Sequence, residues 1–158
     1  MHKKNGFTLI EVLTVVLILG ILTSVALPQY TKAVRRAEAA NALINLRTIF
    51  DSAKRYKATH SAWPTAFNQL DVDLFDISAD GNMGDFQYSF SPAYDGTLSA
   101  CRLKNGSTDT YCLNAYYRWD GKRDVYSCTF QSDAYKSLCE SLGTQEIKET
   151  PDGQYIIH

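Results

Sequence analysis

The sequence predicts an α+β protein, with a long N-terminal helix, half membrane-spanning and half stalk, packed against a small antiparallel β-sheet. Three observations carry this expectation. Residues 7 to 27 hold one charge, Glu11, in an otherwise apolar run, and about 20 such residues at 1.5 Å rise cross a ~30 Å hydrocarbon core. Residues 29 to 59 return to a helical period. Beyond residue 86, four short aromatic and β-branched segments alternate with Asp95-Gly96, Asn105-Gly106 and Asp120-Gly121, dipeptides suited to the tight turns of hairpins.

The apolar run comes first. Gly20, Thr23, Ser24 and Pro28 interrupt its second half. Proline lacks a backbone donor and its ring clashes with the preceding turn, so a kink or locally loosened helix is expected near Pro28. From Gln29 the helical pattern resumes. Ala33, Ala37, Ala40 and Ile44 form one stripe, and Leu43, Leu46, Phe50 and Ala53 continue it on an adjoining face. Small residues early and large ones later imply a change of neighbour, from other helices to a globular head. One helix over residues 7 to 59 would measure about 80 Å.

Trp63-Pro64 ends the helical region, because a residue before proline avoids the helical basin. Phe67 and Leu70 then pack a short turn of helix. The following stretch is acidic, with Asp71, Asp73, Asp76, Asp80 and Asp85. A calcium site there would need several convergent oxygen ligands, but the EF-hand spacing is absent, since Phe75 sits where a ligand should be. A solvated loop is the favoured reading, and no metal is assigned.

The strands expected are Phe86 to Ser91, Leu98 to Leu103, Tyr111 to Trp119 and Asp124 to Phe130, a four-stranded meander with one face on the long helix. Phe50 and Tyr56 are the helix residues expected beneath it. Ser132 reads as an N-cap, residues 133 to 142 as a short helix, and Gly143 as its C-terminal cap. The tail, residues 144 to 158, reads as loop or edge strand.

Charge is distributed unevenly. Residues 32 to 57 carry seven basic and two acidic side chains, a net of +5, and residues 58 to 158 carry seven basic and fourteen acidic ones, a net of −7. A basic stalk below an acidic head suits subunits that stack on each other, or a stalk near anionic lipid, as well as a simply solvated surface. The acidic head argues against nucleic acid as a partner. Tyr111, Tyr116, Tyr117 and Tyr126 read as cross-strand packing rather than as a stacking surface for bases.

Four cysteines, Cys101, Cys112, Cys128 and Cys139, lie beyond the apolar segment. Without a C-x-x-C pair or a nearby histidine, zinc is poorly supported, and disulfides in an oxidising compartment are expected. Of the three connectivities, Cys101–Cys112 with Cys128–Cys139 is favoured because each closes a short loop, though spacing does not exclude the others.

No catalytic constellation is present. Neither His60 nor His158 has a neighbour that suggests nucleophile chemistry, and there is no P-loop or dinucleotide fingerprint; an enzyme is not expected, and no cofactor is called for. Asn105-Gly106-Ser107 matches a glycosylation sequon on a tight turn and carries little weight.

Glu11 is the unexplained residue. A charge in an apolar span costs on the order of +2.5 to +3.5 kcal/mol at its centre, and neither a cleaved secretory signal nor a plain signal anchor gives it a purpose. The residues Gly6-Phe7-Thr8-Leu9-Ile10-Glu11, preceded by Lys3 and Lys4 and followed by an apolar run ending in Ala26-Leu27-Pro28, resemble the N-terminal signal of type IV pilins. The resemblance is specific over residues 3 to 40 and architectural beyond. It implies that residues 1 to 6 are a cytoplasmic leader removed by a prepilin peptidase after Gly6, and that Phe7 becomes an N-methylated terminus. Residues 7 to 28 would then serve as membrane anchor and filament core, 29 to 59 as stalk, and 60 to 158 as globular head. By the same resemblance Glu11 pairs with the terminal amine of a neighbouring subunit, and the helix loosens between Gly20 and Pro28 in the filament. A free α-amino group is largely cationic near neutrality, and low dielectric strengthens its attraction to a carboxylate while penalising either charge alone.

The resemblance implies a structural subunit of a type IV pilus. Its partners would be its own copies, the prepilin peptidase, the membrane before assembly and the inner-membrane assembly platform. Its place would be the bacterial inner membrane as precursor and then the cell surface. A pseudopilin of a type II secretion system, periplasmic rather than surface-exposed, is the first alternative. A minor pilin binding DNA for uptake is another, and a soluble secreted protein starting at Leu27 is the last.

Overall fold

The structure is a computed structural model that describes residues 7–72, 77–78, 80–91, 96–103, 111–117, 124–143, 145–147 and 154–157. The chain divides into two compact units, Met1–Ala37 and Glu38–His158. One helix, α1 (Leu9–His60), enters both.

From Val12 to Leu27 α1 is apolar on nearly every side. Leu9, Ile10, Val12, Leu13 and the valines, leucines and isoleucines that follow to Leu27 are all exposed. In the isolated chain α1 runs as one helix through Gly20 and Pro28, the stretch where a kink or loosening is expected. Proline at 28 removes one rung of the helical ladder, but nothing packs here to exploit the weakness. Nearby hydroxyls fold back on the helix: Thr23 donates to the Leu19 carbonyl, Ser24 to that of Ile21, and Thr31 to that of Pro28.

In the second unit the helix turns one stripe inward. Ala39, Ala42, Leu46, Ile49, Phe50 and Ala53 are buried. Leu46, Phe50 and Ala53 are on the expected stripe. Ala39, Ala42 and Ile49 complete it, and the two alanines let the helix backbone come close enough for the Tyr88 hydroxyl to donate to the Ala42 carbonyl. Tyr56, expected beneath the sheet, instead stacks on His60 one turn later, with ring centroids 4.0 Å apart. The helix ends as Ser61 takes a φ of 58° and donates its N–H to the Lys57 carbonyl, a left-handed C-terminal closure usually made by glycine.

Among the described residues the sheet has seven strands: β1 (Asn82–Met83), β2 (Phe86–Ser91), β3 (Thr97–Arg102), β4 (Tyr111–Tyr117), β5 (Asp124–Phe130), β6 (Gln145–Ile147) and β7 (Gln154–Ile157). Their order is β1-β2-β3-β4-β5-β7-β6, antiparallel throughout. The four expected strands form its centre. The tail adds β6 at one edge and β7 inside it, and β1 extends the other edge. Alternation sets the faces: Phe86, Tyr88, Leu98, Ala100, Tyr111, Leu113, Ala115, Cys128, Phe130, Tyr155 and Ile157 point into the core. Across the opposite face Ser99 donates to Asn114, Asn114 to Thr129, and Gln154 to Ser127.

Helix α2 (Asp133–Leu142) buries Leu138 and Cys139 against this core. A single 3₁₀ turn at Phe67–Gln69 brings Phe67, with Leu70, against the same cluster. Trp63 stacks on Phe50 at 5.9 Å and abuts Gly96, whose φ is +78°. A Cβ on Gly96 would sit 2.2 Å from the indole, so the position demands glycine for conformation and for space.

Candidate functional site

The site is the first unit of α1 and the head of that helix. Within residues 7–27 the only charged side chain is Glu11. Its carboxylate folds back on the chain: the Thr8 amide donates to Glu11 Oε2 over 2.8 Å and the Thr8 hydroxyl over 2.6 Å. The Glu11 amide faces Thr8 Oγ1 at 3.4 Å. Threonine before the helix and glutamate three positions on form a capping box, which satisfies amide donors that the first turn leaves without partners. The pattern Thr8-x-x-Glu11 ahead of an apolar run is legible in the sequence, and reading Glu11 only as a charge missed it.

The rest of the segment suits lipid. Its backbone is helical, and Thr14, Thr23 and Ser24 return their hydroxyl protons to carbonyls of the same helix. Those hydroxyls are then satisfied within the helix, in a medium that offers no partner. Phe7, the residue that would become the terminus, is 87% exposed. Among the described residues this is one helix long and apolar enough to cross a membrane.

Comparison with known proteins bears on the same stretch. Residues 1–27 match the family described as the prokaryotic N-terminal methylation motif. A fimbrial protein of Pseudomonas aeruginosa is 29% identical over 134 residues, which cover 81% of this chain and 86% of the relative. The chain is similar to type IV pilins and carries their N-terminal methylation motif. A type IV major pilin protein of Neisseria gonorrhoeae is 38% identical over 61 residues, 39% of this chain and 37% of the relative. The type II secretion system core protein G of Vibrio cholerae is 35% identical over 72 residues, 46% of this chain and 49% of the relative. The chain spans about a third to a half of the length of these last two relatives.

The remaining candidate residues lie in the second unit. Cys101 is bonded to Cys112, its direct cross-strand partner, and Cys128 on β5 to Cys139 on α2. Both sulfurs of the second bridge belong to fully buried residues, whereas Cys101 and Cys112 are half-buried.

Among the described residues of the acidic stretch, Asp71 and Asp85 meet basic side chains. Asp71 takes a bidentate pair from Arg55, at 2.6 and 2.7 Å, and accepts a hydrogen bond from the buried Ser52 hydroxyl. The Arg55 guanidinium, helped by Ser52, holds the Asp71 carboxyl well below the usual carboxylate range. Asp85 lies 3.7 Å from Arg102, which also pairs with Glu38 at 3.0 Å. Asp73 and Asp76 lie outside the described residues, as do Gly6, the sequon at Asn105, and the Asn105-Gly106 and Asp120-Gly121 turns. No cluster of three metal-ligating side chains occurs among the described residues.

The tyrosines serve packing. Tyr111 is buried between Phe86 and Tyr135, and Tyr117 and Tyr126 close on Phe50. Arg47 lies over Tyr126 at 4.8 Å and Lys57 over Trp63 at 4.3 Å. Burial works against the charge on Lys54, but hydrogen bonds to Asp124 and Asp51 outweigh it and hold the ammonium well above its ordinary range. The basic stalk residues of the second unit are therefore engaged within the fold.

Proposed function

We propose that this chain is a structural subunit of a type IV pilus. A prepilin peptidase cuts after Gly6 and methylates the new terminus at Phe7. Residues 7 to 28 hold the subunit in the inner membrane until an assembly platform adds it to the filament, and residues 29 to 59 and 60 to 158 form the stalk and the head. The observation that carries this reading is the exposed apolar segment whose one charge, Glu11, is presented at its head rather than buried. Such a surface must be covered by lipid before assembly and by other helices after it.

Within that filament Glu11 sets the register. Its Oε2 is occupied by Thr8, yet a carboxylate has acceptor capacity for a second partner, and the methylated amine of an adjacent subunit fits it in charge and size. Gly20 to Pro28 is the stretch where neighbours would loosen the helix. A fimbrial relative aligned along most of the head favours the pilus. The Vibrio relative favours a second reading, a periplasmic pseudopilus of a type II secretion system. The net −7 head argues against DNA binding.

The test is deletion of the chain in its native cells with complementation. Loss of filaments sheared from the cell surface, restored by the wild-type chain and not by Glu11→Gln, supports the pilus. Normal surface filaments with failed export of a secreted enzyme would support the pseudopilus instead.

A further inference from the structure

Three basic residues of α1 stand apart from the rest. Arg47, Lys54, Arg55 and Lys57 each meet an aromatic ring or a carboxylate. Lys32, Arg35 and Arg36 are exposed and have no ion-pair or ring partner among the described residues. Glu38, the acid nearest to them in sequence, is taken by Arg102. At 100° per residue the three fall within about 100° of the helix circumference, so they form one patch rather than a ring.

Their depth is set by the segment before them. If residues 8 to 27 fill the hydrocarbon, Lys32, Arg35 and Arg36 follow about 8 to 14 Å beyond its edge. Long basic side chains reach back over several ångströms to a polar boundary, which brings all three to the phosphate layer. Tyr30, 68% exposed, lies at the level where amphipathic aromatic rings settle in membranes.

A solvated face does not account for this placement. With Lys3 and Lys4 on the cytoplasmic side, three cations just past the other end of the span run against the positive-inside bias. A feature that works against orientation needs a compensating partner, and the nearest anions at that depth are lipid phosphates.

We propose that Lys32, Arg35 and Arg36 form a binding patch for anionic phospholipid headgroups in the leaflet opposite the N-terminus, holding the unassembled subunit upright at a fixed depth. The patch rests on the membrane-anchor reading of residues 7 to 28. The same basic residues facing an acidic neighbouring subunit is the competing arrangement.

The test uses the full chain reconstituted in vesicles of phosphatidylcholine with one quarter phosphatidylglycerol, with bound lipid counted by native mass spectrometry. Resistance to alkaline extraction from the same vesicles reports the anchor separately. The patch predicts that the ratio of bound phosphatidylglycerol to bound phosphatidylcholine exceeds the bulk ratio by about fivefold, roughly the effect of one interfacial cation. Enrichment should fall to the bulk ratio in the K32Q/R35Q/R36Q variant, fall with added salt, and persist in Arg55→Gln. Extractable protein would overturn the anchor itself. Inserted protein with no enrichment, or with enrichment that survives the triple substitution, would overturn the patch, and loss of filaments in that variant would then assign these residues to contacts between subunits.

Discussion

Thr8 and Glu11 close the first turn of α1 on each other: the Thr8 amide and hydroxyl both donate to Glu11 Oε2, at 2.8 and 2.6 Å. Glu11 therefore caps its own helix, and under the proposed assembly it would also offer its charge to a neighbour.

Substitution distinguishes them. Glutamine keeps the capping box but removes the charge, so Glu11→Gln should leave helicity of the membrane-reconstituted chain unchanged while filament yield collapses. Thr8→Ala removes the cap, at about 1 kcal/mol of local helix stability, and should reduce filament yield far less. Circular dichroism with a shear assay reads both. Equal loss in the two variants would mean that the cap, not the charge, is what assembly requires.

The loop after α1 is tied down by Asp71. Its carboxyl is held below the ordinary range by Arg55 and Ser52, so its folded pKa lies below its unfolded value of about 3.9. The stabilisation is present above that unfolded value and is lost as pH falls towards the folded one. Asp71→Asn should flatten the fall in thermal stability below about pH 4 relative to wild type. Ser52→Ala leaves the Asp71 amide, which donates to Ser52 Oγ over 3.1 Å, without its partner, at about 1 kcal/mol. An unchanged acid limb in Asp71→Asn would remove the latch.

Gly96 is predicted to be intolerant. An alanine there meets the Trp63 indole at 2.2 Å with a φ of +78°, so Gly96→Ala should lower stability by about 1–3 kcal/mol. Combining it with Trp63→Leu should recover the steric part and leave the backbone part. Chemical denaturation of the four-membered cycle measures the coupling, and strict additivity would contradict the contact.

The two disulfides should differ in kind. Each closes a loop with a sequence separation of 11, and the chain-entropy model puts such a bridge at about 2–4 kcal/mol. Cys101 and Cys112 are already opposed in the β3–β4 ladder, whereas Cys128–Cys139 ties α2 to β5. Losing the second pair (Cys128→Ser with Cys139→Ser) should release protection of α2 amides in hydrogen exchange; losing the first should leave α2 protected. Because Cys128 and Cys139 are fully buried, mild reductant should open Cys101–Cys112 first.

Much of this fold is legible in the sequence where a local period decides. The strands Phe86–Ser91 and Asp124–Phe130 and the helix Asp133–Leu142 have the expected bounds, because alternation, turn dipeptides and a terminal glycine agree there. The tail was opaque for the opposite reason. Gln154–Ile157 is too short to read as a strand alone and gains its place only by pairing with β5 and β6.

Long-range relationships were invisible for a further reason. Nothing near Asp71 announces Arg55 and Ser52, and nothing near Gly96 announces Trp63, since each pairing depends on how the loop crosses the sheet. At Pro28 one hydrogen bond of the ladder is missing, and α1 runs through the position as one helix. At the N-terminus, the charge of Glu11 drew attention away from its spacing to Thr8, although both are written in the same six residues.

The central claim concerns that N-terminus, and mass spectrometry of the N-terminal peptide from protein purified out of its native cells tests it most directly. The account predicts a chain beginning at Phe7 with a methylated amine. A chain beginning at Leu27, or one retaining Met1, would contradict it, because either would remove the cationic partner that Glu11 is proposed to meet.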